Sequence, residues 1–248
     1  MKIAILTLFP EMFDSFLQSS IIGRAQQEGL MDIRPMDIRP FSEKKHKNTD
    51  DYPFGGGAGM VMLAQPICDA IKSAREQGFG GSCIYLSPRG KPLTQKMVGE
   101  LSKQEGLVLL CGHYEGVDQR AIDQCVDEEI SLGDFVLTGG ELAAMALCDA
   151  VARYVPGVLG SVDSTAEESF TDGLLEYPQY TRPRSFENVE APEVLLNGDH
   201  AKIKAWRRQQ ALLCTLRVRP DLFASAPMSE KERLATLALL QEEDAPCC

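Results

Sequence analysis

The sequence predicts an α/β protein built on a mainly parallel sheet, and two observations carry that prediction. Three short apolar runs, KIAILTLFP (2–10), SCIYLSPRG (82–90) and LVLLCGHYEG (107–116), each end in turn residues. Stretches of helical character lie between them, at 11–28, 65–77 and 92–104. Strands alternating with helices of this length imply parallel pairing, with both faces of the sheet covered. Ligands of such sheets gather at the carboxyl ends of the strands. Those ends are read here as Leu86-Ser87-Pro88, Cys111-Gly112 and Leu137-Thr138-Gly139.

Taken in order, the chain opens on a first strand at Met1-Lys2-Ile3-Ala4-Ile5-Leu6, with no signal-peptide cleavage pattern. The tandem DIRPMDIRP (32–40) reads as two extended X-Pro stretches and not as a repeat architecture. Pro92 falls where the first turn of the 92–104 helix tolerates proline. The apolar run Phe135-Val136-Leu137 reads as a strand that empties into Thr138-Gly139-Gly140, followed by a helix at 141–154. The texture then changes: GSVDSTAEESFTDG (160–173) is small, polar and acidic without a hydrophobic period, and reads as a mobile linker. Beyond a proline-punctuated stretch, helices are predicted at about 199–217 and 228–241, with Ser229 and Glu232 forming a capping box.

Bulk properties narrow the function. The 248 residues suffice for one large domain or two modest ones, and no apolar run approaches the ~20 residues that span a bilayer. A cytoplasmic location is expected. Eight cysteines occur without a C-x-x-C pair, alongside three histidines, so buried reduced thiols are expected and a zinc site is not. The adjacent Cys247-Cys248 tail is read as exposed and without a role. A net charge of −11 argues against non-specific nucleic-acid binding. Residues 201–220, however, hold six Lys/Arg and no acid, a local basic face in an acidic chain.

The glycine turns carry the chemistry. FGGGAGM (54–60) lacks the lysine of a phosphate loop, and Thr138-Gly139-Gly140 lacks the third glycine and the ribose-binding acid of a dinucleotide fold. Three glycine- or proline-bearing strand ends can still present carbonyls and N–H groups to an adenine ring and a ribose.

Eight collinear motifs then become specific: LFPEMF (8–13), DDYPFGGGAGM (50–60), YLSPRG (85–90), CGHYEGVDQR (111–120), SLGDFVLTGGE (131–141), VPGVLG (155–160), GLLEYPQYTRP (173–183) and NGDHAKIKAWRRQQ (197–210). Over essentially the whole chain they resemble the bacterial tRNA (guanine-N1)-methyltransferases. The resemblance implies a deeply trefoil-knotted SPOUT-type α/β domain with a small helical C-terminal domain. It also implies S-adenosylmethionine as methyl donor, magnesium as an aid, and an obligate homodimer with sites at the subunit interface. The implied reaction methylates N1 of guanosine at tRNA position 37. Carried over by residue, the donor cradle is Tyr85, Leu86, Ser87, Pro88, Gly112, Glu115, Leu132, Gly133, Asp134, Phe135, Val136, Leu137, Gly139 and Gly140.

Attack by guanine N1 requires its proton to leave and builds negative charge on the neighbouring oxygen, so the site needs a carboxylate and a guanidinium. Glu167, Glu168 and Asp172 are the candidate bases. The family's base is an aspartate just before its Ser-Phe, and Glu168 of AEESF holds that position, one methylene longer. Arg153 matches the arginine after the cradle helix. For the RNA, Lys202, Lys204, Arg207 and Arg208 offer phosphate contacts, and Trp206 among them reads as packing rather than stacking. Arg182 follows the linker, while Asp50 and Gly59 border the loop that the family places near the guanosine. Ala58 and Ala143 stand where the family usually has proline, with small effects expected.

These readings divide the chain into a donor-binding domain (1–160), a linker (161–172) and a helical tRNA-binding domain (173–248). Three rivals compete. One is a SPOUT-type methyltransferase acting on another RNA nucleotide, and another a non-catalytic RNA-binding protein. The third, a dinucleotide-dependent oxidoreductase, lacks its fingerprint.

Overall fold

The computed structural model describes residues 1–160 and 168–243. Two compact units divide the chain, residues 1–162 and 163–248.

The first unit contains, in order, β1 (Lys2–Thr7), α1 (Asp14–Gln18), α2 (Ser20–Gln27), β2 (Asp32–Asp37), β3 (Asp50–Asp51), β4 (Val61–Met62), α3 (Ala64–Glu76), β5 (Ser82–Pro92), α4 (Gln95–Leu101), β6 (Gly106–Cys111), α5 (Gln119–Cys125), β7 (Glu128–Ser131) and α6 (Glu141–Ala152). Five strands form one sheet in the order β2-β1-β6-β5-β7, and every pairing in it is parallel. Alternation of side chains across the pleat explains the unbroken apolar runs. Ile3, Ile5, Leu107 and Leu109 enter one core layer with Leu147 and Val151 of α6. Ala4, Leu6, Val108 and Leu110 enter the other with Ile67 and Ile71 of α3 and Ala121 of α5. β6, at the sheet's centre, is buried at every residue.

Four local readings are corrected. The 11–28 helix is broken into a 3-10 turn, α1 and α2. Ser19 is extended, Ser20 has φ +53°, and the Gly23 amide restarts the ladder on Ser19 O at 2.9 Å. Serines favour such breaks because they can bond backbone outside a helix. The 92–104 helix begins only at Gln95, where Thr94 caps it by accepting from Met97 N at 3.3 Å. Pro92 ends β5 instead, paired with Ser131 beyond a register shift between Leu86 and Lys91. DIRPMD is extended as read, forming the edge strand β2 where Pro35 is tolerated, but the second X-Pro stretch is not extended: Ile38 is helical and Arg39–Phe41 form a 3-10 turn. Phe135-Val136-Leu137 is not a strand: β7 ends at Ser131, and the three side chains are 55, 82 and 38 % exposed on an irregular loop.

The second unit holds β8 (Ser185–Phe186), β9 (Val189–Glu190), α7 (His200–Val218), α8 (Pro220–Ser225) and α9 (Glu230–Glu243). Leu174, Ala211, Leu212, Phe223 and Ala226 make its core. Buried Thr215 links the incoming chain to α7, accepting from Leu175 N at 2.8 Å and donating to Ala211 O at 2.6 Å. The capping box predicted at Ser229 is present: Ser229 N donates to Glu232 Oε2 at 2.8 Å, and Glu232 N donates to Ser229 Oγ at 3.2 Å. Residues 168–174 form a hydrogen-bonded turn, with Thr171 N on Glu168 O at 3.2 Å and Phe170 N on Leu174 O at 2.7 Å. Glu167, most of the sequence-predicted linker and Cys247-Cys248 lie outside the described residues.

Candidate active site

Parallel pairing of β6, β5 and β7 delivers their carboxyl ends to one edge of the sheet, with Leu86 in register between Cys111 and Ile130. A cleft of about 290 Å³ opens there. Tyr85, Leu86, Ser87 and Pro88 line it from β5, Gly112 and Glu115 from the end of β6, and Leu132, Phe135, Val136, Leu137, Gly139 and Gly140 from the loop after β7. Of the cradle residues read from the sequence, Gly133 and Asp134 do not line it. Gly133 turns the loop at φ +156°, bonded to Ser131 Oγ, and Asp134 is exposed.

Backbone approach explains the glycines. A Cβ on Gly112 would stand 2.8 Å from the Tyr85 ring. One on Gly140 would stand 2.7 Å from Cys111 Cα, and one on Gly139 would strike the His113 ring. Gly140 has an ordinary helical φ of −80°, so close packing and not a left-handed turn demands glycine there. Gly140 N also donates to Gly112 O at 3.0 Å, stitching the loop to β6's end. Burial pushes the Tyr85 phenol above its usual value, and nearby Glu129 adds to the rise. Exposed Phe135 and Val136 beside a concavity fit a wall for a partly apolar ligand.

Sequence reasoning missed a polar network behind this wall. Glu141, the first residue of α6, is 2 % exposed. It accepts from the Thr7 hydroxyl at 2.6 Å and meets His113 Nε2 at 2.8 Å. His113 lines the cleft and packs its ring 4.8 Å from Phe9. Strand and helix patterning treats Thr7 and Glu141 as element ends, so no local signal joins residues 134 positions apart. Arg89, Tyr114, Val117, Ile122 and Ala143 also line the cleft. Ala143, a position where proline was expected, is thus part of the wall.

The glycine-rich loop is rooted beside the cleft. Glu115 N donates to Met60 O at 2.9 Å, and a Cβ on Gly59 would meet Glu115 Cγ at 2.5 Å. Asp50 lies in β3, paired with Met62 of β4. Lys44 Nζ holds Asp51 at 2.5 Å and draws its carboxyl below the usual range.

Of the two catalytic groups read from the sequence, Arg153 shares the unit of this cleft but does not line it. Arg153 caps the C-terminus of α6, whose 12 residues span about 18 Å from the glycine end. Glu168 belongs to the second unit, where it lines a cavity of about 380 Å³ with Asp172, Tyr177, His200, Lys204, Arg207 and Arg208. That cavity gathers two candidate carboxylates and three candidate phosphate ligands. The Arg207 guanidinium lies 4.8 Å from the Tyr177 ring centroid. Arg208 is engaged with Glu232 at 3.0 Å and Pro227 O at 2.7 Å. Lys202 is exposed and pairs with Asp199 at 3.3 Å, and Arg182 is exposed. Trp206 is half-buried, 6.2 Å from the exposed Tyr180 ring. Among the described residues no helix is long and apolar enough to cross a membrane, and no group of three or more His, Cys, Asp or Glu is placed to hold a metal.

A parallel α/β sheet with a glycine-relieved cleft at its strand ends, in a chain whose second unit carries a charged cavity of its own, defines a ligand-binding α/β protein. The sequence profile described as tRNA (guanine-1)-methyltransferase TrmD matches residues 1–225. Relatives named tRNA (guanine-N(1)-)-methyltransferase include that of Ruminiclostridium cellulolyticum, 56 % identical over 228 residues, covering 92 % of this chain and 98 % of the relative. That of Clostridium perfringens is 56 % identical over 232 residues (94 and 97 % covered), and that of Moorella thermoacetica 52 % over 235 residues (94 and 94 %). The chain belongs to the tRNA (guanine-1)-methyltransferase TrmD family.

Proposed function

We propose that this chain transfers a methyl group from S-adenosylmethionine to N1 of guanosine at position 37 of tRNA, next to the anticodon. The observation that carries the reading is the glycine-relieved cleft in a chain of this family: side chains at Gly112, Gly139 or Gly140 would collide with Tyr85, His113 or Cys111. Its volume, about 290 Å³, is of the order of small-ligand pockets. The residues fit the donor, which when bound supplies an electrophilic methyl group.

Tyr85 to Pro88, Gly112 and the 132–140 loop would hold the donor, with exposed backbone polar groups for its adenine and ribose and apolar walls that exclude water. Glu168 would accept the N1 proton, a role worth ~10²–10⁴ in rate. Arg153 would stabilise the charge that grows on the adjoining guanine oxygen. Lys202, Arg207 and Arg182 would neutralise phosphates, and Asp50 and Gly59 would border the target base. Magnesium would aid turnover, without a side-chain cluster assigned to it. The reading includes a deep trefoil knot in the first unit, carried by the family to which the chain belongs and built on the parallel β2-β1-β6-β5-β7 sheet. It also includes a small helical tRNA-binding domain from residue 173 and a cytoplasmic homodimer whose sites draw on both subunits. Placement of Arg153 at the far end of α6 supports sharing between copies.

The test is transfer of labelled methyl to unmodified tRNA transcripts carrying guanosine or adenosine at position 37. Label on the guanosine transcript alone, mapped to N1, is expected. Equal label on both would mean another target nucleotide, and none on either would favour a binding protein.

A further inference from the structure

Glu141 is a carboxylate in a place that disfavours charge. Its side chain is 2 % exposed, and it is held by three devices. The N-terminus of α6 favours an anion in its first turn. The Thr7 hydroxyl donates to Oε1 at 2.6 Å, while Thr7 Oγ1 accepts from Phe9 N at 2.9 Å, which directs the hydroxyl proton to Glu141. His113 Nε2 lies within hydrogen-bond distance of Oε2, at 2.8 Å, and no Lys or Arg pairs with Glu141 among the described residues. The nearby arginines are committed elsewhere: Arg89 to Gln119 at 3.0 Å and Glu129 at 3.7 Å, and Arg39, over the Phe9 ring, to Asp37 at 3.4 Å.

This carboxylate stands directly behind the cleft wall. A Cβ on Gly139 would strike the His113 ring and lie 2.5 Å from Glu141 Oε2, so the carboxylate stands immediately behind the part of the wall that Gly139 and His113 line. A fixed charge acting through protein is screened far less than one in water. It favours a cation in the cleft over a neutral molecule of the same shape.

We infer that Glu141 makes the cleft discriminate by ligand charge. It strengthens binding of a sulfonium or ammonium ligand and does nothing for S-adenosylhomocysteine, the thioether left when the methyl group is gone. The inference rests on the reading of this cleft as the donor site. Its consequence is exchange: spent product is held less tightly than fresh donor, with no movement of the wall required.

Calorimetric binding of S-adenosylmethionine, sinefungin (an amine in place of the sulfonium) and S-adenosylhomocysteine would test it, on the wild-type chain and on Glu141→Gln. Glutamine keeps an acceptor for Thr7 and loses the charge. Affinity for the two cations is expected to fall about tenfold in the variant, with S-adenosylhomocysteine within about twofold. Equal weakening of all three ligands would make Glu141 a structural residue and overturn the inference, as would no change in any. Should the variant not fold, Glu115→Gln decides, because Glu115 is the carboxylate that lines the cleft directly: sinefungin must still bind about tenfold more tightly than S-adenosylhomocysteine there, and a ratio near one overturns the inference. Thr7→Val, which keeps the carboxylate, should preserve the cation preference. A wild-type chain that binds none of the three would instead sink the donor reading itself.

Discussion

The two cavities of this protein are built from opposite materials. The cleft of the first unit is made of backbone: three strand ends fixed by a parallel sheet, with glycines where any Cβ would collide. The cavity of the second unit is made of long charged side chains, Glu168, Lys204, Arg207 and Arg208, over a small apolar core. The first offers a fixed shape and fixed polar groups, and a side chain at Gly112, Gly139 or Gly140 would collide with its walls. The second offers charge on long side chains, which salt screens and individual substitutions erode gradually.

Four substitutions should break or sharpen that contrast. The largest effect is expected from Glu168→Gln, with methyl transfer to tRNA reduced ~10²–10⁴-fold while donor affinity stays unchanged. A normal rate for this variant would pass the role of base to Glu167 or Asp172. Gly140→Ala comes next: its Cβ meets backbone 2.7 Å away, which cannot yield as a side chain can. Donor affinity should fall by more than about tenfold and folding stability by about 1–3 kcal/mol, both indifferent to salt. Lys204→Ala should weaken tRNA binding a few-fold, and reduce the slope of log affinity against log salt by about 0.7–0.9 if the lysine neutralises a phosphate. An unchanged slope in a salt titration would remove Lys204 from the RNA interface.

The smallest effect concerns Glu232. Bonds from the Ser229 amide and hydroxyl, then from Arg208, lower its pKa from 4.5 to about 2. A carboxylate depressed by folding adds stability above its unfolded pKa and loses it as pH falls toward the folded value. The contribution should therefore vanish between pH 4.5 and about 2. Because the pair is partly exposed, it amounts to less than about 1 kcal/mol. Acid unfolding of Glu232→Gln should be correspondingly flatter through that window.

The same contrast governs what could be read in advance. The buried strands were legible because both faces of the sheet demand apolar residues, which leaves an unbroken run. Phe135-Val136-Leu137 carries that same signature for another reason, as the exposed wall of a cleft, and composition cannot tell the two apart. Ser229 and Glu232 were legible because a capping box is local, three residues wide. Thr7, His113 and Glu141 were not, since their meeting depends on β1, β6 and α6 converging at one edge.

By itself the sequence determined the alternation of strands and helices, the capping at Ser229 and, through its ordered motifs, the family. These are properties of neighbouring residues or of their order along the chain, and hydrophobic burial, capping chemistry and motif spacing write them there directly. Only the tertiary structure decided that Gly139 and Gly140 are glycines because Cys111, His113 and Glu141 crowd them, that Arg153 lies a helix away from the cleft, and that a buried carboxylate stands behind its wall. Those are facts about which distant segments share a few ångströms of space, and that is set by how the strands pair.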